Sequence, residues 1–283
     1  MSGPLRLGTR ASPLALVQAR LVAAALAGEV AVVEIATSGD GGAGGGDKSR
    51  WVDRIEDALL AGTIDLAVHS AKDLPGELAG GLEIAGSPAR GDPRDALCGA
   101  ASLAALRRGA RVGTSSLRRA AQLRALREDL EVVAIAGNVQ TRLARVGELD
   151  AVVLARAGLE RLGLDRGAEL AQLVPAAGQG TLAIEARAGD ERVAAAIAGL
   201  RDGASERALA AERALTSALG ADCRAAVGAL ATADGEELEL IAFAGRADGS
   251  AWVRDTLRGR DPQTLGAELA QRMRSVGAAE LLA

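Results

Sequence analysis

Short apolar runs alternate along this chain with longer stretches rich in Ala, Leu and Arg. The runs have the length of strands and the stretches have helical spacing, so the alternation reads as strand–helix–strand, the rhythm of a parallel sheet. Leu5–Gly8 is the first strand. Ser12 stands as a cap directly before Pro13 at a first helical position, and that helix runs to about Ala27. Val30–Thr37 is a second strand, Trp51–Ala61 a helix, and Asp65–His69 a short strand ahead of the turn-prone Lys72-Asp73-Leu74-Pro75-Gly76. Ser38–Ser49, with six glycines, is too Gly-rich for packed helix or strand.

The rhythm restarts beyond Ser87–Arg94, a segment of two prolines, a glycine and several charges that reads as a crossing between domains. Strands are expected at Ala110–Gly113, Glu131–Ile135 and Asp150–Leu154. Helices are expected at Ser102–Arg108, Leu117–Arg127, Val139–Val146 and Ala157–Leu162. Pro175–Gly180 is a second crossing, followed by a strand at Thr181–Ala186 and a helix at Ser205–Leu219. After Cys223 the pattern changes. Ala225–Thr232, Glu237–Phe243 and Trp252–Leu257 read as strands joined at Asp234-Gly235 and Asp248-Gly249, with a closing helix at Pro262–Arg274. The fold class is therefore α/β: two α/β domains and a small α+β C-terminal domain of three strands.

Composition narrows the function. Of 283 residues 49% are hydrophobic and 25% charged, which suits a packed soluble core. A formal charge of −4 argues against a generally basic nucleic-acid surface. Trp51, Phe243 and Trp252 are the only aromatics, too few for base stacking. One His and two Cys make neither a zinc cluster nor a disulfide scaffold, so no metal is expected and a reducing compartment is the simpler reading. No run approaches the roughly 18 apolar residues of a membrane span. A cytoplasmic protein without membrane or nucleic-acid partners is expected.

Four places have the residue types for chemistry. Lys72 and Asp73 follow a short strand, where open α/β sheets put their sites. Asp73 suits a general acid or a charge stabiliser and Lys72 an anion holder; a charged surface turn is the plain alternative. Gly113-Thr114-Ser115-Ser116 leads into a helix whose first turn carries Arg118 and Arg119, which the helix dipole disfavours unless an anion is close by. Gly137-Asn138 precedes Arg142 in the same way. With Arg10, Arg161 and Arg156 also near strand–helix junctions, an arginine-lined cleft would suit a ligand with several carboxylates or phosphates. An Arg-rich composition is the competing explanation. Cys223 lies in a Gly-containing loop and is either a buried small hydrophobe or a nucleophile; a nucleophile needs a base, and the only imidazole is His69.

Beyond single motifs, VHSAKDLP, GDPRDAL, GTSSLRRAAQL, GNVQTRL, LARAGLERLGL and VPAAGQGTLAIEAR occur in this order, between LRLGTRASPLALVQA at the start and AERALTSALGADC near the end. Over nearly its whole length the chain resembles the porphobilinogen deaminase, or hydroxymethylbilane synthase, family. The resemblance implies two domains of type II periplasmic-binding-protein architecture, crossed twice by the chain, and a third domain carrying a cofactor cysteine. It divides the chain as 1–88 with 177–200, 92–174, and 203–283. It implies a transferase of tetrapyrrole biosynthesis, acting as a monomer, that condenses four porphobilinogen molecules into hydroxymethylbilane with release of four ammonia. The chain would grow on a dipyrromethane held as a thioether by Cys223. Asp73 would be the catalytic carboxylate. Arg10, Lys72, Arg118, Arg119, Arg142 and Arg161 would hold cofactor and substrate carboxylates, with Ser12, Thr114, Ser115 and Ser116 beside them and Lys48 on a loop over the cleft. Two departures stand out. Ala136 occupies a position where the family commonly has arginine, and the cysteine loop reads Ala221-Asp222-Cys223-Arg224 rather than Gly-Gly-Cys-Gln. They leave an impaired or non-catalytic carboxylate binder of the same fold as the alternative.

Overall fold

The computed structural model describes residues 3–41, 48–221 and 225–282. In chain order the first elements are β1 (Leu5–Arg10), α1 (Pro13–Ala25), β2 (Val30–Ile35), α2 (Asp53–Leu60), β3 (Leu66–Ser70) and β4 (Leu82–Gly86). Then come β5 (Asp95–Cys98), β6 (Arg111–Gly113), α3 (Leu117–Leu126), β7 (Glu131–Val133), α4 (Val139–Leu143), β8 (Ala151–Ala155), α5 (Arg156–Arg161) and β9 (Ala168–Leu170). The chain ends with β10 (Leu182–Arg187), α6 (Glu191–Ile197), α7 (Gly203–Ala218), β11 (Val227–Asp234), β12 (Glu237–Gly245), β13 (Trp252–Gly259), α8 (Pro262–Ser275) and α9 (Ala278–Leu282). Two compact units result: residues 1–91 with 181–206, and residues 92–180 with 207–283.

The first unit is built on a sheet of order β2-β1-β3-β10-β4. β1 runs parallel to both neighbours, while β10 returns antiparallel to β3 and β4. Both faces are covered, as in α/β sheets generally. Leu66, Val68, Leu182 and Ile184 meet Ala19 and Val22 of α1 and Val193 and Ile197 of α6. On the opposite face Ala67 meets Ile55 and Leu59 of α2.

The second unit repeats the scheme as β7-β6-β8-β5-β9, with β6 parallel to β7 and β8, and β5 antiparallel to β8 and β9. Leu97, Val112, Val153 and Leu123 of α3 fill one face; Ala96, Val152, Leu154 and Leu159 of α5 fill the other. The same unit holds the small C-terminal domain, an antiparallel β11-β12-β13 meander with α7, α8 and α9 against one face. Phe243 and Ala226 of that domain pack with Ala121 of α3 and Val174.

The α/β class holds, with corrections of detail. The sheets are mixed rather than parallel, since β10 and β5 enter antiparallel. Ser102–Arg108 forms turns, not a helix: Ala105 N bonds Ser102 O and Leu106 N bonds Leu103 O, an i+3 pattern that buries Leu103 and Leu106. β4, β5, β9, α6 and α9 were not anticipated. In the first C-terminal hairpin Asp234 pairs with Glu237, so the two-residue loop is Gly235-Glu236, with Gly235 supplying a φ of 59°.

Candidate active site

In the first unit, β1 and β3 are parallel neighbours and bring four expected residues to one sheet edge. Arg10 is the last residue of β1. Ser12 caps α1, its hydroxyl accepting from Ala15 N at 3.3 Å. β3 passes into a single 3₁₀ turn, Ala71–Asp73. Ala71 is buried and its N–H donates to Thr181 O at 3.0 Å, while buried Leu74 donates to Ala71 O at 3.2 Å. Pro75 keeps Leu74 extended, with φ −68° and ψ 144°. The turn is thus anchored at both ends, Lys72 is half-buried, and Asp73 is exposed.

The Arg10 guanidinium lies 4.1 Å from the centroid of the Trp51 ring, a cation–π contact that orients it. A Cβ on Gly39 would fall 2.3 Å from Trp51 Cε3, so the ring requires glycine there. Lys48 opens the turn Lys48–Trp51, and its side chain lies outside the described residues.

In the second unit, the C-terminal ends of β7, β6 and β8 carry the remaining basic residues, the edge where open α/β sheets bind ligands. The β6–α3 loop uses its own hydroxyls to hold its shape. Thr114 Oγ1 accepts from Ser116 N at 3.2 Å. Ser115 Oγ donates to Ile135 O and accepts from Ile135 N, tying the loop to the segment after β7. Ser116 caps α3, accepting from Arg119 N at 3.4 Å.

Arg118 and Arg119 are both buried, and the anion that their helix position demands is partly internal. Asp95, fully buried on β5, accepts from Arg118 Nη1 at 2.8 Å and from Arg119 Nε and Nη2 at 2.9 and 2.7 Å. Gln179 Nε2 adds a fourth bond at 2.9 Å. Arg118 Nη1 and Arg119 Nη1 also reach the carbonyls of Val174 and Val153. Burial pushes the Asp95 carboxyl up, but the two guanidiniums outweigh it and hold the group well below the usual carboxylate range. Two cations against one anion leave a surplus positive charge. Arg118 Nε is buried with no acceptor among the described residues.

Arg142, half-buried on α4, donates from Nε to Gly137 O at 2.7 Å, on a helix capped by Asn138. Arg161, at the end of α5, donates to Gly180 O at 2.6 Å, and burial lowers its pKa. Arg156 is committed to carboxylates, with Asp92 at 3.0 Å, Glu160 at 3.6 Å and Glu169 at 3.7 Å. Ala136 is exposed near Arg142. Cys223 lies outside the described residues; α7 and β11 flank its segment. A cavity of about 580 Å³ in this unit, lined by Cys98, Leu143, Val146 and Asp165 among others, contains none of the expected site residues.

Sequence reasoning missed Asp95, Gln179 and the stacking role of Trp51. The usable signal for Asp95 was a charged residue opening an apolar strand, Asp95-Ala-Leu-Cys98. Among the described residues no group of three or more His, Cys, Asp and Glu side chains is arranged to hold a metal, and no helix is long and apolar enough to cross a membrane.

Comparison with known proteins decides the family. Residues 5–195 match the family model "Porphobilinogen deaminase, dipyromethane cofactor binding domain", and residues 207–275 match "Porphobilinogen deaminase, C-terminal domain". The chain belongs to the porphobilinogen deaminase family. It is 48% identical over 303 residues to a porphobilinogen deaminase of Roseiflexus castenholzii and 50% identical over 303 residues to one of a Roseiflexus species, covering 100% of both chains in each case. With the enzyme of Xanthomonas oryzae pv. oryzae it shares 45% over 299 residues, covering 99% of this chain and 98% of that one. Among solved structures, a periplasmic substrate-binding protein of an ABC transporter from Coxiella burnetii aligns at 17% identity and a TM-score of 0.44, over 71% of this chain and 94% of its own.

The cofactor of this family is a dipyrromethane, whose side chains are carboxylates. The donor set of the second unit fits such a group: a guanidinium pair with surplus charge, one orphaned buried N–H, and further arginines on the same sheet edge.

Proposed function

We propose that this chain condenses four porphobilinogen molecules stepwise into hydroxymethylbilane with release of four ammonia, as a cytoplasmic monomer in three domains, 1–88 with 177–200, 92–174 and 203–283. Asp73 is the catalytic carboxylate and Cys223 the cofactor attachment point. The observation that carries the reading is the anchored turn that leaves Asp73 exposed just past the end of β3, on a chain that matches the family models over residues 5–195 and 207–275.

When bound, dipyrromethane supplies the pyrrole nucleophile on which the product grows. The chain's own residues do the rest. Asp73, held on a fixed backbone, stabilises positive charge developing at pyrrole nitrogens and exchanges a proton with the leaving amine. Arg10, Lys72, Arg142 and Arg161 take acetate and propionate groups, and arginine does so bidentately, which orients a ring for attack. Arg118 and Arg119 contribute the surplus charge left by Asp95. Ser12, Thr114, Ser115 and Ser116 shape the loops that set these cations in place, and Lys48 belongs to the segment that follows β2.

The test is single-turnover release of ammonia from porphobilinogen by primed protein, with far-UV circular dichroism as a fold control. Asp73→Asn is expected to keep fold and ligand binding and to lose turnover by at least roughly 10²–10⁴-fold, the value of positioned proton transfer. Asp73→Glu, which keeps the charge and moves it, should retain a small residue of activity. Turnover of the Asn protein within about tenfold of the parent, well short of that range, would remove Asp73 from the mechanism.

A further inference from the structure

The chain's single histidine is buried in the first unit, and the proposed mechanism does not use it. His69 Nε2 lies 2.9 Å from Glu185 Oε2, with 4% of the histidine side chain and 0% of the glutamate side chain exposed. Among the described residues His69 Nε2 and both Glu185 oxygens have no hydrogen-bond partner, so this close contact is what the two groups have. A buried carboxyl group that accepts no backbone N–H and touches no arginine is costly, and one imidazole is all that compensates it. Glu56 of α2 faces the pair. Burial raises the Glu56 carboxyl, the Ala79 N–H opposes this, Glu185 adds to it and His69 opposes it, so the α2 carboxylate is a like charge to the glutamate.

Such a pair contributes little net stability compared with apolar residues of similar size, but it can specify register. His69 stands opposite Ala183 and Glu185 opposite Ala67 in the antiparallel β3–β10 ladder. The two are therefore diagonal neighbours on one face, within reach of long side chains. A slip of β10 would separate them and bury each alone. On the other face of β3, Gln18 of α1 donates to Ser70 Oγ at 3.0 Å. The end of β3 is thus tied by polar contacts on both faces, directly before the Ala71–Asp73 turn. The turn's first N–H in turn bonds Thr181, the residue that leads into β10.

We infer that His69 and Glu185 are positioning residues: their contact pins the return strand β10 against β3 and thereby sets the place of the Asp73 carboxylate. This rests on Asp73 being the catalytic carboxylate. The experiment uses primed protein carrying His69→Leu with Glu185→Leu, or Glu185→Gln alone, each in the parent and in the Asp73→Glu background. Ammonia release, KM, primer content and thermal midpoint are measured. The double-Leu protein is expected to fold with an unchanged or higher midpoint. Its kcat should fall about tenfold to a hundredfold, the scale of a displaced reacting group, while KM stays within about twofold, since carboxylate binding is untouched. In the Asp73→Glu background, where the carboxylate is already displaced, the same change should cost less than about threefold, the non-additivity of coupled sites.

Full turnover of the double-Leu protein, or an equal loss in both backgrounds, would overturn the inference and leave the pair a matter of packing. If the double-Leu protein does not fold, Glu185→Gln decides: reduced kcat at unchanged KM supports positioning, and parental kcat overturns it. The underlying reading fails separately. Asp73→Asn with near-parental turnover removes the carboxylate itself, whereas an inert Asp73→Asn beside fully active pair variants removes only the positioning role.

Discussion

Arg118 and Arg119 begin α3, where the helix dipole disfavours cations, and Asp95 answers that cost from within the protein. The stoichiometry makes the two kinds of substitution differ. Arg118→Leu or Arg119→Leu leaves Asp95 with the other guanidinium and Gln179, so the protein should fold while primer loading or elongation fails, with a loss of about 2–5 kcal/mol in binding for a desolvated charged contact. Asp95→Asn leaves two buried cations without their anion and should cost about 3–5 kcal/mol of stability. Urea unfolding beside primer content measures both. Parental primer content and turnover in the Leu proteins would make these arginines purely structural, and an unchanged unfolding midpoint for Asp95→Asn would show the cluster to be hydrated.

The elements that sequence alone predicted well are those with strong local signals. Ser12-Pro13 and Asp261-Pro262 start helices where expected, with side chains bonding Ala15 N and Thr264 N. β4, β5 and β9 escaped because they are three to five residues long with no clear alternation. They gain strand character from β10, β8 and β5 respectively, partners distant in sequence. Ser102–Arg108 has a cap and helical composition but too few residues to offset nucleation, and buried Leu103 and Leu106 fix a tighter turn. The candidate site was legible as residue types at strand ends; its internal counter-charge was not, because Asp95 meets Arg118 only through the β5–α3 packing. That packing has a pH signature. Asp95 is depressed in the folded state, so its contribution is complete above the unfolded value of about 3.9 and is lost progressively as pH falls from there through the lower folded value. The stability gap between parent and Asp95→Asn should therefore stay constant between about pH 7 and 5 and shrink below about pH 4, where the unfolded carboxyl takes up its proton. Urea unfolding at these pH values reads it, and a gap that widens on acidification would contradict the assignment.

At the scale of the molecule, two sheets of the same order each present the C-terminal ends of three parallel strands; in the first unit these ends carry Arg10, Lys72 and Asp73, and in the second they lead to Arg118, Arg119, Arg142 and Arg161. The thiols report whether the third part, the cofactor, is in place. Burial, with Asp165 adding and Arg119 opposing, pushes Cys98 up to about 11, so it stays protonated in mild base. Native protein at about pH 8, well below that value, should then give no reactive thiol, and denatured protein one, if Cys223 is the thioether proposed above. Two thiols on denaturation would mean a free Cys223. The most direct measurement is the intact mass of protein purified from a host that makes porphobilinogen, beside Cys223→Ser. A parent heavier than its 283 residues by one dipyrromethane, with the addition absent from the serine variant, is the predicted result. An unmodified parent mass, or an addition that survives in Cys223→Ser, would contradict it.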